Sequence, residues 1–462
     1  GFYGAAKMVS GSNFLLEDLP TLPTGQAGGR QAEGTKILVD CGLKQGPRYC
    51  EIHNFEKFAY DPKSIDVVLV THAHIDHIGR IPKLYRDGFR GKIFSTEPTK
   101  DFANFMLTDS MRILSREAGE LGKELMYDES DIEGVMSLWS GIHYHEKIEV
   151  NGIGIEFHDA GHVLGSSSII VTSKEGKKIL FSGDVGNSPT PLINPLDGAA
   201  PADYVLLEST YGGRAHEDTA LRKGILENII EATVKNGGVL MIPAFALERT
   251  QEILFELNEL VENGRIPRTP VFVDSPLAVR LTEVYKKYSR NSKYFNDEAI
   301  RLGAADNIFE FPGLRLIVRP EDSKDIIHVP SPKIIIAGAG MSNGGRIQHH
   351  EKNYLGDNKN TILFIGYQGE GSLGRRILNR DKVVRIYGED VPVKARIEAI
   401  GAYSAHADQP ALVNWLRPIN EGIKKIFLVH GEEAEMDSLA WKLRDELAVE
   451  VEIPSEGDEV IL

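Results

Sequence analysis

Apolar and polar positions along this chain fall into two rhythms. Up to Tyr211 the apolar runs are short and end in loops rich in glycine and polar side chains. Residues 12–17, 36–40, 67–70, 92–96, 152–158, 167–172, 178–182 and 204–208 read as strands. Helical spacing of apolar residues is confined to a short stretch at 79–87 and a longer one at 98–117, where Phe102, Phe105, Met106, Met111 and Leu114 recur on one face. Many strands with few helices predict a packed, β-rich layer structure. After Tyr211 the rhythm changes. A helix at 217–236, stopped by Gly237-Gly238, leads to a strand at 239–242, a helix at 248–263, a strand at 271–274, a helix at 278–288, and strands at 333–337 and 361–365. This alternation predicts a doubly wound parallel sheet. The tail, with a short helix at 409–416 and a strand at 424–429, returns to the first rhythm. The expected organisation is a first part at 1–211, an inserted α/β domain at 212–400, and a last part at 401–462 that completes the first. No repeat of fixed period is present. Residues 19–35, rich in Pro, Gly, Thr and Gln, read as a long, weakly ordered hairpin loop.

The densest chemistry stands at the end of one strand. The apolar run Val67-Val68-Leu69-Val70 runs directly into Thr71-His72-Ala73-His74-Ile75-Asp76-His77. Strand ends are where open α/β folds place their sites. His72 and His74 point to one side of an extended chain and suit one zinc ion, whereas Asp76 and His77 lie at the turn into the next helix and face a second position. Four ligands within six residues exceed what one open catalytic zinc needs, so two metals are expected. Two further strand ends offer completing ligands: His162 in Gly161-His162-Val163-Leu164-Gly165, and Asp184 in Ser182-Gly183-Asp184. Asp184, with two carboxylate oxygens, is the natural bridge. Such a pair of ions generates a hydroxide at neutral pH and clamps an in-line displacement at phosphorus. Asp40, at the end of its strand, reads either as a turn residue before Cys41-Gly42 or as an acceptor for the outer ring N–H of His72 or His74.

Composition narrows the setting. The chain has 462 residues, and no apolar run approaches the roughly 18–20 residues of a membrane span. The first residues show no basic-then-apolar leader pattern, and residue 1 is Gly rather than Met, as in a trimmed start. Two cysteines, Cys41 and Cys50, make no disulfide framework and fit a reduced, cytoplasmic protein. The net charge of −15 argues against a generic nucleic-acid binder, yet it leaves room for a local basic channel or for metals that neutralise a phosphate.

His72-Ala73-His74-Ile75-Asp76-His77, the later His162 and Asp184, and the β-rich pattern resemble the metallo-β-lactamase superfamily. Within it, the insertion and several further stretches resemble the β-CASP nucleases, among them the cleavage and polyadenylation nuclease and ribonuclease J. Those stretches are Leu207-Glu208-Ser209-Thr210-Tyr211-Gly212, Pro243-Ala244-Phe245-Ala246-Leu247-Glu248-Arg249-Thr250-Gln251-Glu252, Asp274-Ser275-Pro276-Leu277-Ala278, Gly366-Tyr367-Gln368-Gly369-Glu370-Gly371-Ser372-Leu373-Gly374, Ser404-Ala405-His406-Ala407-Asp408 and Val429-His430-Gly431-Glu432. They run in order over nearly the whole chain; residues 19–35 match nothing in the family, and no KH-type Gly-x-x-Gly module stands ahead of the core.

The resemblance implies an α/β fold, a metallo-β-lactamase αββα sandwich with an inserted doubly wound β-CASP domain. It implies two zinc ions, one held by His72, His74, His162 and Asp184, the other by Asp76, His77, Asp184 and His430. Glu208 and His406 would form an acid pair in which the histidine donates a proton to the leaving oxygen, in keeping with an imidazole pKa near 7. Asp76, Glu208 and His406 are thus the expected catalytic residues. The loop Ala339-Gly340-Met341-Ser342-Asn343-Gly344-Gly345-Arg346 reads equally as a tight strand-to-helix turn or as an anion cradle. Family position favours phosphate contacts at Ser342, Gly344, Gly345 and Arg346, and makes Arg249, Arg375 and Arg376 candidates for lining a nucleic-acid channel.

The implied activity is hydrolysis of single-stranded RNA lying in a cleft between the domains, leaving 5′-phosphate and 3′-hydroxyl ends. Endonucleolytic and 5′-exonucleolytic modes both stay open, as do the RNA target and a homodimer. Three competing readings explain less. A thioesterase, lactonase or lactamase of the same superfamily leaves Glu208, His406 and the insertion idle. A DNA-directed β-CASP nuclease typically departs from the histidine found here at His430. A metal-free scaffold paralogue does not fit a set in which every ligand position is competent. The remaining histidines, His53, His143, His145, His158, His216, His328, His349 and His350, read as surface or core residues, with no carboxylate partner evident even for the pair in His143-Tyr144-His145.

Overall fold

The computed structural model describes residues 1–18, 34–46, 51–305 and 307–462. The expected loop at 19–35 therefore falls outside the described residues except for its last two, and Cys50 lies outside them altogether. Two compact units emerge: residues 1–186, 196–215 and 406–462 form one, and residues 187–195 and 216–405 the other. Residues 187–195 join the second unit because Ile193 pairs with Phe295 and the Asn194 N–H donates to the Tyr294 carbonyl. Periodicity carries no sign of this excursion.

The first unit is a two-sheet sandwich. One sheet has five strands in sequential order: β1 (Phe14–Asp18), β2 (Thr35–Val39), β3 (Val67–Leu69), β4 (Lys92–Thr96) and β5 (Trp139–Ile142). The hairpin of β1 and β2 is antiparallel, and the later pairings are parallel. The strands β6 (Lys147–Val150), β7 (Ile153–Asp159), β8 (Ser167–Thr172), β9 (Lys178–Phe181) and β10 (Tyr204–Glu208) follow in the other sheet. The second unit contributes β11 (Val239–Pro243), β12 (Val271–Asp274), β13 (Leu314–Leu316), β14 (Lys333–Ala337), β15 (Thr361–Phe364), β16 (Val383–Ile386), β17 (Glu389–Pro392) and β18 (Arg396–Ala399). The chain then returns to the first unit with β19 (Lys425–Val429) and β20 (Glu450–Glu452), giving a seven-stranded sheet in the order β20-β19-β10-β9-β8-β7-β6.

Alternation decides what each face buries. Val39, Leu69, Phe157, Ile169, Phe181 and Phe427 fill the space between the two sheets. Leu180, Val205, Leu207 and Leu428 point the other way, against Leu412 and Leu416 of helix Gln409–Leu416 and Leu439 and Leu443 of helix Glu433–Leu447. The long helix Glu97–Leu121, capped by the Thr96 hydroxyl, buries Phe102 and Leu107. This is the expected αββα layering. Because β2, β3 and β4 run parallel, as do β9, β10 and β19, their carboxyl ends lie along one edge of each sheet.

In the second unit six parallel strands pair in the order β13-β12-β14-β11-β15-β18, while β16 and β17 form a separate hairpin. Strands buried on both faces, such as Lys333–Ala337, read as continuous apolar runs. Several elements escape periodicity for lack of length. The helix Glu129–Leu138 is signalled by a capping box from Asp128 and Asp131 rather than by an apolar stripe. The expected helix at 217–236 starts as a 3-10 turn capped by Asp218 and becomes α-helical only at Arg222. The one expected at 79–87 is found at Ile81–Arg86, and a separate helical turn at Ile75–Ile78 precedes it, so helix begins inside the histidine motif.

Candidate metal centre

The motif is shaped by what clamps it. The backbone of residues 40–43, after β2, lies along the turn Ile75–Ile78. Cys41 N–H donates to the His77 carbonyl, Leu43 N–H to Ile75, and Arg80 N–H to Cys41, while Ser12 N–H reaches the Asp76 carbonyl. A side chain at Gly42 would put its Cβ 1.5 Å from the Asp76 carbonyl oxygen, so only glycine permits this approach. The helical turn swings Asp76 and His77 away from His72 and His74, and each pair meets ligands from a different strand end.

His72, His74, His162 and Asp184 converge in one group, and Asp76, His77 and His430 in another. In the first, His74 Nδ1 lies 3.0 Å from His72 Nε2 and 3.2 Å from His162 Nε2. Asp184 Oδ2 is 3.4 Å from both His72 Nε2 and His162 Nε2. In the second, Asp76 Oδ2 is 3.3 Å from His430 Nε2 and 3.9 Å from His77 Nε2. The other oxygen of Asp184, Oδ1, faces this second group, 3.4 Å from His77 Nε2 and 3.6 Å from His430 Nδ1. Ligand atoms around a tetrahedral zinc at its usual bond lengths stand about 3.3–3.6 Å apart, close to these separations. Two buried atoms, His77 Nε2 and Asp184 Oδ1, have no hydrogen-bond partner among the described residues. Buried polar atoms are seldom left so, and a cation between them would satisfy both. The donor set therefore fits two metal ions that share Asp184.

Electrostatics point the same way. Burial pushes His74 down to about 4 and His72 well below the ordinary histidine value, leaving both as the neutral imidazoles that metals require. Burial would raise Asp184, but the neighbouring His430, His77 and His72 outweigh it and hold this carboxyl well below its ordinary value. His77 is also subject to burial, yet Asp184 and Asp40 raise it well above the usual imidazole range.

The outer partners differ from expectation at one point. Asp40 meets neither His72 nor His74; its Oδ2 lies 2.7 Å from His77 Nδ1. The register of β2 against β3, with Val39 opposite Leu69, carries Asp40 past the end of β3 to Thr71, whose N–H and hydroxyl both donate to it at 2.8 Å, and the helical turn brings His77 back over this carboxylate. Asp40 takes up a left-handed backbone (φ 59°), as does His430 (φ 52°). Such strain is tolerated where surrounding contacts over-determine it. Thr71 and Thr210 escaped the sequence reading. Thr210 Oγ1 lies 3.2 Å from His430 Nδ1, and the only available signal was that each threonine adjoins a motif.

Beside these two groups, His406 Nδ1 lies 3.0 Å from Glu208 Oε1. Glu208 is fully buried and accepts N–H groups from Val185 and Thr210. Burial lowers His406, but Glu208 and Asp184 prevail and raise its pKa above the ordinary value. The antiparallel bridge between Gly186 and His406 brings the two segments together.

The expected RNA contacts belong to the second unit, and several are otherwise engaged. Arg249 is buried, pairs with Glu252 and donates to the Tyr403 carbonyl, so it lines no channel. Ser342 is buried and donates to Glu351 rather than presenting its hydroxyl to solvent. Arg346 pairs with Asp274 at 2.7 Å and donates to the Val318 carbonyl. Arg376 is exposed and paired with Asp381, Arg375 is half-buried, and Gly344 and Gly345 remain at the loop's outer turn.

Comparison with known proteins finds three family domains along the chain. Residues 31–196 match the metallo-β-lactamase superfamily domain, 250–377 the Beta-Casp domain, and 390–454 the Zn-dependent metallo-hydrolase RNA specificity domain. The chain is 38% identical to ribonuclease TTHA0252 of Thermus thermophilus over 95% of its own length and 94% of that protein's. It is 31% identical to an RNase J-like protein of Methanocaldococcus jannaschii, covering 91% and 93% respectively. A crystal structure of a protein of unknown function from Enterococcus faecalis matches the fold with a TM-score of 0.52 and 13% identity, over 100% of this chain and 99% of that one.

Proposed function

We propose that this chain, which belongs to the β-CASP ribonuclease family of metal-dependent hydrolases, is a two-zinc phosphodiesterase that hydrolyses single-stranded RNA. The reading rests on one observation above the others. Two ligand groups share Asp184, and a buried carboxylate–histidine pair stands against them; Asp184, Glu208 and His406 themselves converge.

His72, His74, His162 and Asp184 would hold one zinc, and Asp76, His77, His430 and Asp184 the other. When bound, two zinc ions neutralise phosphate charge and make water a competent nucleophile near neutral pH. The chain's own residues account for the remaining steps. Asp184 fixes the spacing of the two ligand groups. Asp40 and Thr71 hold His77, and Thr210 holds His430, each setting the ring orientation. Glu208 accepts Nδ1–H of His406 and favours the charged form of that imidazole. The opposite ring nitrogen then carries the proton for the leaving group. As the new P–O bond forms in line, the bond to the 3′ oxygen breaks. That oxygen takes the His406 proton, leaving a 5′-phosphate and a 3′-hydroxyl. Catalysis by such a positioned acid is worth about 10²–10⁴-fold.

The test uses one internally labelled single-stranded RNA, with metal content measured on the same protein. His406→Ala is expected to retain its zinc and lose most turnover, and Asp184→Ala to lose both. Normal cleavage by His406→Ala would remove the acid assignment, and zinc-free protein with full activity would remove the metal assignment. End-group analysis of the fragments checks the 5′-phosphate.

No helix among the described residues is long and apolar enough to cross a membrane.

A further inference from the structure

Outside the centre just described, one further cluster among the described residues carries metal-ligand chemistry. Glu156 and His158 stand two residues apart on β7, on the face that alternates away from buried Ile155 and Phe157. His145 lies in the turn before β6, also in left-handed backbone (φ 61°), and its N–H donates to the Phe157 carbonyl. These three side chains bring ligand atoms within 4.8 Å of one another. Glu156 Oε1 is 3.4 Å from His158 Nε2 and 3.9 Å from His145 Nδ1, and the two imidazoles meet nearly edge to face at 83°.

We propose that His145 Nδ1, Glu156 Oε1 and His158 Nε2 form a further binding site for a divalent transition metal such as zinc, separate from the catalytic pair.

Two features carry this. The 3.4 Å separation matches the 3.3–3.6 Å or so expected between ligand atoms around tetrahedral zinc, the 3.9 Å one is a little longer, and two imidazoles with one carboxylate are a competent donor set. His145 Nε2 faces Asp197 Oδ2 at 3.3 Å, which leaves Nδ1 as the nitrogen for the metal. This is the carboxylate–histidine–metal arrangement that fixes tautomer and ring direction. Asp197 is itself held in place: Asp159 N–H donates to its side chain at 2.7 Å, and its own N–H returns to the Asp159 carbonyl at 2.8 Å. The exposed Lys147, 3.9 Å from Glu156 Oε2, approaches the oxygen that the site does not use. A metal here would tie the turn before β6 and the segment around Asp197 to β7. Its role would be to stiffen the sandwich, with no part in the reaction.

The experiment uses the full chain in its zinc-loaded form. Wild type and a His145→Asn, His158→Gln double variant are equilibrated with micromolar zinc, desalted, and compared by elemental analysis and by ribonuclease turnover. Asparagine tolerates the left-handed backbone at 145. The expected result is one zinc equivalent less in the variant, with turnover unchanged. Asp197→Asn, which leaves all three ligands in place, is expected to weaken that equivalent's affinity by about 10–100-fold. Crystals of the wild-type chain measured at the zinc absorption edge should show an anomalous peak between His145, Glu156 and His158. Equal zinc content in wild type and double variant, or no anomalous peak at this position, overturns the proposal.

Discussion

Replacing Glu208 by Gln tests the acid assignment without removing the acid. Glutamine keeps an oxygen that can accept Nδ1–H of His406, but it removes the charge. At an effective dielectric near 20, unit charges 3.0 Å apart attract by about 5 kcal/mol. Desolvation of the imidazolium takes back part of this. A carboxylate at such range ordinarily raises a partner's pKa by about 1–3 units, equivalent to about 1.4–4 kcal/mol. The sign follows directly. As the proposed acid, His406 would act when protonated, so its raised pKa extends activity towards higher pH, and turnover is expected to fall as pH rises through that value. Glu208→Gln should therefore move the alkaline limb of the kcat–pH profile downward by about 1–3 units. The amide NH₂ will face the Thr210 N–H in place of a carboxylate oxygen, which costs about 1–3 kcal/mol of stability; that cost lowers Tm but does not move a pH limb. The assay is single-turnover cleavage of a short fluorogenic RNA across pH at saturating zinc, with metal content checked at each end of the range. An alkaline limb in the same place for wild type and Glu208→Gln would show that His406 is not the titrating acid.

Other outcomes follow from the same geometry. Asp40→Asn should weaken zinc retention in competition with a chelator by about 10–100-fold through loss of His77 orientation, with RNA affinity little changed. Arg249→Ala should lower stability by about 3–5 kcal/mol in a denaturant titration, because it strands the buried Glu252, and should leave RNA affinity of the folded protein as it was; a selective loss of RNA binding would restore the channel role. Gly42→Ala should lower Tm and zinc content together, since its Cβ would collide with the Asp76 carbonyl that shapes the motif.

Local sequence was enough to nominate the candidate ligands that the fold brings together. A run such as Val67–Val70 must bury itself, and the His72–His77 motif that follows must emerge at its end. Spacing alone also suggested two ions and singled out Asp184 as the shared ligand. Glu208, His406 and His430 could not be found this way; a lone histidine after a strand is unremarkable until resemblance gives it a place. Where sequence reading failed, the missing quantity was register or burial. Asp40 reaches His77 because parallel pairing of β2 with β3 sets its height and a helical turn folds the motif back. Arg249 and Ser342 looked like substrate contacts, since nothing in a string of residues reveals that an arginine's charge is spent on a buried glutamate one helical turn away. His145 seemed to lack a carboxylate because Glu156 and Asp197 come to it only when β7 and the loop before β10 pack together. Residue chemistry is local and can be read in order along the chain. Which atoms stand within 3–4 Å of one another depends on pairings hundreds of residues apart, from His72 to His430, and only the folded chain makes them.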